Sequence, residues 1–145
     1  MVAKAARAAG IEIGEVARSN GVELVPRAIA DALAKGDAAI KAGNWSGAIG
    51  AYESILASTD GKNVLALNNL AFAYSAAGNK PKALDIAKRA LALAPENPSV
   101  MDTAGWLMFE TGADKRRGLA LLRSASQKAP GNTNIRAHLR RAEQG

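Results

Sequence analysis

The segment GNKPKA at residues 78–83, followed by Pro95, decides the fold of this chain. A counterpart, GNWSGA at residues 43–48, lies 35 residues upstream. A third copy begins at Gly112 and reaches Pro130 with one extra residue. A unit of 34 to 35 residues that recurs three times indicates a repeat architecture.

Each unit is predicted to form two helices. The first helices are expected at residues 28–42, 63–77 and 97–111, because their apolar residues have helical spacing. Gly43, Gly78 and Gly112 follow them and suit the left-handed conformation that ends many helices. The second helices are expected at about 46–58, 81–93 and 115–128, and Asn97 and Asp114 are predicted N-caps.

Composition favours helices and excludes several kinds of chemistry. Alanine supplies 33 of the 145 residues, a bias that suits closely packed helices of one domain. The absence of cysteine excludes thiol catalysis, disulfides and thiolate metal sites. His138 is the single histidine, and no carboxylate is tied to it by spacing. We therefore expect no enzyme, no metal site and no cofactor.

The repeat resembles the tetratricopeptide repeat (TPR) family. The second unit carries the family's signature at Leu67, Leu70, Ala71, Tyr74, Ala83, Ala87, Ala90 and Pro95. The third carries it at Met101, Ala104, Gly105, Met108, Gly118, Leu122, Ala125 and Pro130. The first departs from it at Lys35 and Asp60. The resemblance implies an all-α fold, a TPR-type α-solenoid in which antiparallel helix pairs form a right-handed superhelix.

The expected domain organisation is a TPR domain at residues 28–145 after an N-terminal extension at 1–27. The repeats are placed at about 28–62, 63–96 and 97–131, and a capping helix at 132–143. Arg136 and Arg140 occupy the face of that helix which a further repeat would bury, a polar surface that the end of a repeat stack requires. Two interpretations of the extension are equally compatible with the sequence: a helix with a linker, or a degraded half-repeat that ends at Pro26.

The resemblance further implies that the first helices line a concave groove. Its predicted partner-binding residues are Asn68, Asn69, Phe72, Asp102, Thr103, Trp106, Phe109, His138 and Arg141. Exposed aromatic groups among amides and carboxylates are typical of surfaces that bind peptides. The alternative is that Phe72, Trp106 and Phe109 fill gaps between helices. Trp45, in the turn between two helices, is expected to pack in the core.

One known TPR activity is disfavoured. The resemblance implies that a clamp for the C-terminal carboxylates of chaperones, where a TPR protein has one, consists of lysine, asparagine and arginine side chains in the groove. This chain has Leu33, Asp37, Asn69, Ser99 and Thr103 there, and only Asn69 matches. We therefore expect a protein or peptide partner of another kind, with a structural spacer or self-associating domain as the alternative.

The net charge of +6 is concentrated at one end. Residues 115–145 hold eight cations and one anion, Glu143, a net charge of +7, whereas residues 1–114 hold eleven cations and twelve anions. Two readings stay open, a solvated face and a surface for an anionic partner. Binding to nucleic acid is disfavoured because no aromatic residue follows Phe109 to stack on bases.

No stretch approaches the about 20 apolar residues of a membrane-spanning helix. Charged residues such as Lys4, Arg7 and Glu12 interrupt the first twenty residues, which therefore lack a signal-peptide core. The chain as given is expected to be soluble and cytoplasmic, or periplasmic if it is part of an exported protein. Residues 97–106 and 135–139 also resemble the C-terminal repeats of bacterial TPR proteins of exopolysaccharide and exosortase (PEP-CTERM) systems, which implies a cell-envelope scaffold in a bacterial assembly.

Overall fold

The computed structural model of the chain describes residues 24–145, with side chains from Arg27 onward. This part contains seven helices and no strand: α1 (Leu24–Lys41), α2 (Trp45–Ser58), α3 (Val64–Ala76), α4 (Lys80–Leu93), α5 (Pro98–Thr111), α6 (Lys115–Lys128) and α7 (Thr133–Gln144). The helices pack as antiparallel pairs, α1 with α2, α3 with α4 and α5 with α6, and α7 closes the stack. The predicted all-α solenoid is confirmed.

Six of the helices begin at a residue whose side-chain oxygen accepts hydrogen bonds from the first turn. The caps of α2 to α7 are Asn44, Asn63, Asn79, Asn97, Asp114 and Asn132. Each cap satisfies a backbone N–H that has no partner within its helix, and this contributes on the order of 1 kcal/mol per helix. The predicted caps Asn97 and Asp114 are therefore confirmed.

The turns within the repeats depend on glycine. Gly43, Gly78 and Gly112 have φ angles of 73°, 93° and 76°, the left-handed region in which a Cβ atom is unfavourable. These three positions confirm the predicted helix ends. Asp60 also has a positive φ, of 57°, and proline cannot adopt this angle. The departure of the first repeat from its signature at Asp60 thus follows from a different turn between α2 and α3.

The start of α1 differs from the prediction. This helix begins at Leu24 rather than at residue 28, so that Pro26 lies within its first turn. Proline is accepted there because the first N–H groups of a helix have no partner in the helix. Pro26, where the predicted half-repeat would end, therefore lies inside α1. The two readings of the extension concern residues that precede Leu24 and lie outside the described part of the chain.

Small residues allow the helices of a pair to approach closely. Alanines that face another helix, such as Ala83, Ala87 and Ala104, are fully buried. The closest approach joins α5 and α6, where a Cβ built on Gly118 would lie 2.5 Å from the backbone oxygen of Gly105. This contact explains why both positions hold glycine.

Tyr52 is the largest fully buried side chain of the described core, and it links α2 to α1. Its hydroxyl donates a hydrogen bond of 2.7 Å to Oδ1 of Asp37. Its ring also fills the space beside Gly36, where an added Cβ would lie 2.6 Å from the ring. Burial, followed by the hydrogen bond and the charge of Asp37, raises the pKa of Tyr52 above its usual value near 10.

We expect Tyr52→Phe to lower the free energy of unfolding by about 1.5 kcal/mol at pH 7, because Asp37 loses its donor. A raised pKa in the folded state means that the stability which Tyr52 contributes is complete below pH 10 and is lost at higher pH. The variant should lack this loss. Guanidinium unfolding from pH 7 to 11 would measure both effects.

Tyr74→Phe is the matched control, because the bond from Tyr74 to Glu53 is exposed. We expect it to lose about 0.5 kcal/mol or less. Equal stability of Tyr52→Phe and the wild type at pH 7 would contradict the role given to the part-buried bond between Tyr52 and Asp37.

The helix α7 packs backward onto the stack and closes it. Ile135 and Ala142 are buried and Leu139 is half-buried, whereas Arg136 and Arg140 are exposed on the opposite face. The predicted capping helix with a charged outer face is confirmed. Within the described residues, no helix is both long and apolar enough to span a bilayer.

Candidate functional site

A cavity of about 400 Å³ lies between the first helices of the repeats, α3 and α5, and the capping helix α7. It is lined by Phe72, Ser75, Asp102, Thr103, Trp106, Leu107, Asn134 and His138. Five of the nine predicted groove residues therefore meet at one place. Ser75, Leu107 and Asn134 were missed, although Ser75 and Asn134 stand at groove-facing positions of the repeat.

Phe72 is the open aromatic group of this cavity. Half of its side chain is exposed (50%), and Leu93 at 46% is the only other large apolar side chain of the described residues that is so exposed. Trp45 meets the Phe72 ring edge-on, with the ring centroids 6.1 Å apart. Trp45 is half-buried and therefore supports the wall of the groove instead of packing in the core as expected.

Trp106 is covered by side chains of its own chain. The His138 ring stacks on it at 4.8 Å with an interplanar angle of 12°. Phe109 lies at 6.1 Å and 25°, and the Arg141 guanidinium lies 5.1 Å from the ring centroid. Since His138 and Arg141 belong to α7, the ring of Trp106 joins the capping helix to α5. The alternative reading, in which an aromatic residue fills a gap between helices, therefore describes Trp106 better than Phe72.

Asp102 and His138 form a hydrogen-bonded pair beside this stack. Nδ1 of His138 lies 2.8 Å from Oδ1 and 3.1 Å from Oδ2 of Asp102, a carboxylate that is only 9% exposed. With Nδ1–H as the donor, the bond fixes the imidazole ring against Trp106. The sequence spacing tied no carboxylate to His138, but the fold brings Asp102 to it. The two residues are 36 positions apart, one repeat plus one residue, and this register could have revealed the pair.

The remaining predicted residues surround the cavity without lining it. Asn68 and Asn69 are half-buried on α3, and Oδ1 of Asn68 makes no hydrogen bond among the described residues. Phe109 is half-buried, with Nζ of Lys115 at 5.5 Å from its ring centroid. Phe109 and Arg141 therefore lie beyond the Trp106 stack, at the end of α5 and α7.

A second recess, of about 670 Å³, lies between α1 and α2. Its lining is mostly alanine, glycine and serine, with Asp31 and Lys35 as its charged residues and no aromatic ring. The recess therefore lacks the large apolar anchors that dominate binding energy at interfaces.

The cavity beside Phe72 offers both apolar and polar groups. It combines an exposed ring with hydroxyl, amide and imidazole groups that can donate and accept hydrogen bonds. The hydroxyl of Thr103 is engaged with the carbonyl oxygen of Ser99 at 3.0 Å and is not paired with His138. Among the described residues, no group of three or more carboxylate and histidine side chains is arranged to hold a metal ion.

Comparison with known families identifies the class of this protein. The family model named Tetratricopeptide repeat matches residues 39–113, which is more than half of the chain. The chain therefore belongs to the tetratricopeptide repeat family. A search of curated proteins found no significant match.

Solved structures of TPR domains share the fold. The second TPR domain of human RPAP3, in complex with an HSP70 peptide, is similar at a TM-score of 0.70 and 20% identity, over 82% of this chain and 98% of that one. The first TPR of Spaghetti (RPAP3), bound to an HSP90 peptide, gives 0.72 and 20%, over 81% and 94%. The O-GlcNAc transferase of Thermobaculum terrenum gives 0.75 and 24%, over 81% of this chain and 22% of that one.

Proposed function

We propose that this chain is a non-catalytic protein-interaction module which binds a peptide or partner helix in the groove beside Phe72. The observation that carries the proposal is the half-exposed Phe72 ring at a cavity of about 400 Å³. An exposed aromatic group flanked by a cavity can bury a partner's side chain, and such anchors supply most of the energy of an interface. We infer further that the module serves as a scaffold or adaptor in a bacterial multiprotein assembly.

The polar groups of the cavity favour an uncharged partner segment. Asp102 is paired with His138, so its charge is not free for a ligand, and the neutral Thr103 hydroxyl already donates to its own helix. The two RPAP3 domains carry acidic chaperone peptides in their structures. In this chain only Asn69 matches the carboxylate clamp, so an acidic C-terminus would lack most of its binding groups. We therefore propose that the partner is held by an apolar side chain that packs beside Phe72. Asn134, which lines the cavity, offers its amide to the partner's backbone.

Selection of random displayed peptides against the purified chain, followed by calorimetric titration of the enriched peptides, tests this proposal. We expect Phe72→Ala to weaken their binding about thirtyfold, the loss of one strong anchor. Leu93→Ala is the matched control, since it removes an equally exposed apolar side chain from α4, outside the groove. It should change the affinity less than twofold, on the order of a neutral surface substitution.

Circular dichroism should show unchanged helicity for both variants. Peptides that bind wild type and Phe72→Ala equally well would disprove the groove as the site. Failure to enrich any peptide would favour the alternative, a spacer or a self-associating domain.

A further inference from the structure

The outer surface of α6 and α7 is a face of arginine side chains. Arg116 and Arg123 lie seven residues apart on α6, which is two helical turns and about 10 Å, and therefore share one stripe of that helix. Arg136 and Arg140 lie one turn apart on α7. All four are exposed. We call these four residues the terminal arginine face.

One ion pair shows that the arginine rows of α6 and α7 lie side by side. Nε of Arg123 lies 3.3 Å from Oε2 of Glu143, which joins the middle of α6 to the end of α7. Arg136 precedes Glu143 by seven residues and Arg140 precedes it by three, so both flank the same side of α7. The arginines therefore follow the seam between the two antiparallel helices.

Among the described residues, the carboxylate that lies between the α6 and α7 arginines is already paired. Glu143 is the single anion of residues 115–145, and it is held by Arg123. Within the described residues, Arg116, Arg136 and Arg140 have no carboxylate within 4 Å. Arg136 reaches only the carbonyl oxygen of Pro130, at 3.4 Å.

The need for a polar end of the stack does not explain why all four charged residues of this face are positive. A repeat stack requires a hydrophilic end, and glutamine or a mixture of acidic and basic residues would provide one without mutual repulsion. Arg116 also lies in the first turn of α6, where the helix dipole disfavours a cation and only the cap Asp114 opposes it. Arginine at these sites gives planar donors that match carboxylates in two-point contacts.

We propose that the terminal arginine face binds an acidic helix of a partner protein along the seam between α6 and α7. This surface is where a continuing stack would place its next helix, so its shape already suits a helix of about three turns. Carboxylates spaced three, four and seven residues apart on one face of that helix would meet the arginines. A membrane fits less well, because the exposed face of α7 adds only Ala137 as an apolar residue to enter lipid.

The test compares probes by fluorescence anisotropy at about 0.1 M salt, where surface charges still interact over roughly 10 Å. The first probe is a 21-residue helical peptide with glutamates along one face. The second has the same composition with its glutamates spread around the helix. We expect the first to bind about tenfold more tightly than the second, which is the gain from one or two additional matched charge pairs.

The double variant Arg136→Glu and Arg140→Glu should lose about tenfold in affinity for the first peptide. Lys62→Glu with Lys88→Glu is the matched control, because it changes the net charge equally at exposed sites elsewhere. It should lose less than about twofold, as only long-range attraction falls. Phe72→Ala should bind the first peptide like the wild type, since the groove is a separate site.

Four results would overturn the proposal. One is equal binding of the two peptides, and another is an equal loss in the control variant, since either would reduce the effect to net charge. The third is tighter binding of phosphatidylglycerol vesicles or of duplex DNA than of the first peptide, dependent on the same arginines. Loss of binding in Phe72→Ala would place the peptide in the groove and equally overturn the inference.

Discussion

Replacing Gly118 by alanine should lower the free energy of unfolding by about 2 kcal/mol, although alanine is the better helix former. The added Cβ would lie 2.5 Å from the carbonyl oxygen of Gly105 and 2.8 Å from the backbone nitrogen of Phe109. Both contacts are with backbone atoms of α5, so the two helices must move apart. Thermal unfolding should shift downward by about 8 °C for a domain of this size.

Gly50→Ala is the control, and it is expected to change the free energy of unfolding in the opposite direction. Gly50 lies within α2 and has no atom within 4 Å of its ideal Cβ position. Alanine there should raise the free energy of unfolding by about 0.5 to 1 kcal/mol, the usual gain in an exposed helix. A gain in stability from both substitutions would show that α5 and α6 are not in such close contact.

Trp106→Ala should destabilise the capping helix, with a loss of about 3 kcal/mol in the free energy of unfolding. The ring lies between α5 and the α7 side chains of His138 and Arg141, so its removal takes from α7 the surface on which these two side chains pack. Hydrogen exchange followed by mass spectrometry should show faster exchange in residues 133–144 than in α3 and α4.

Two further variants give this prediction its controls. Trp106→Phe keeps a ring beside His138 and should recover about half of the loss. Phe72→Ala removes an aromatic side chain that is half-exposed, so exchange in α7 should stay as in the wild type. Unchanged exchange in α7 after Trp106→Ala would mean that Ile135, Leu139 and Ala142 hold this helix without the ring.

Much of the fold could be predicted from the sequence because the deciding interactions are local. Gly78 ends α3 by its backbone conformation, and Asn79 caps α4 by a bond to a residue three positions away. The turn at Asp60 shows the limit of this reasoning. Aspartate accepts a left-handed conformation that proline cannot adopt, but the residue type alone does not reveal which conformation is used.

The candidate site was predictable as a surface but not as an arrangement of side chains. The repeat register places Phe72 and Trp106 at equivalent positions of α3 and α5, and nothing in either residue tells them apart. Their difference arises from the following first helix. Trp106 meets His138 and Arg141 of α7, whereas the corresponding neighbours of Phe72 are Thr103 and Trp106 of α5, and Phe72 remains half-exposed.

The pattern of helix contacts has a consequence for how the chain folds. Among the described helices, substantial contacts join those adjacent in sequence, and the pairs α3–α5 and α5–α7 join helices that are one helix further apart. Loops that must close are therefore short, and the entropy lost in closing them is small. Chains of this low contact order fold in milliseconds or less, and formation can start at any helix pair and spread to its neighbours. We expect the central pair, α3 and α4, to provide that starting point, because both of its sides are covered.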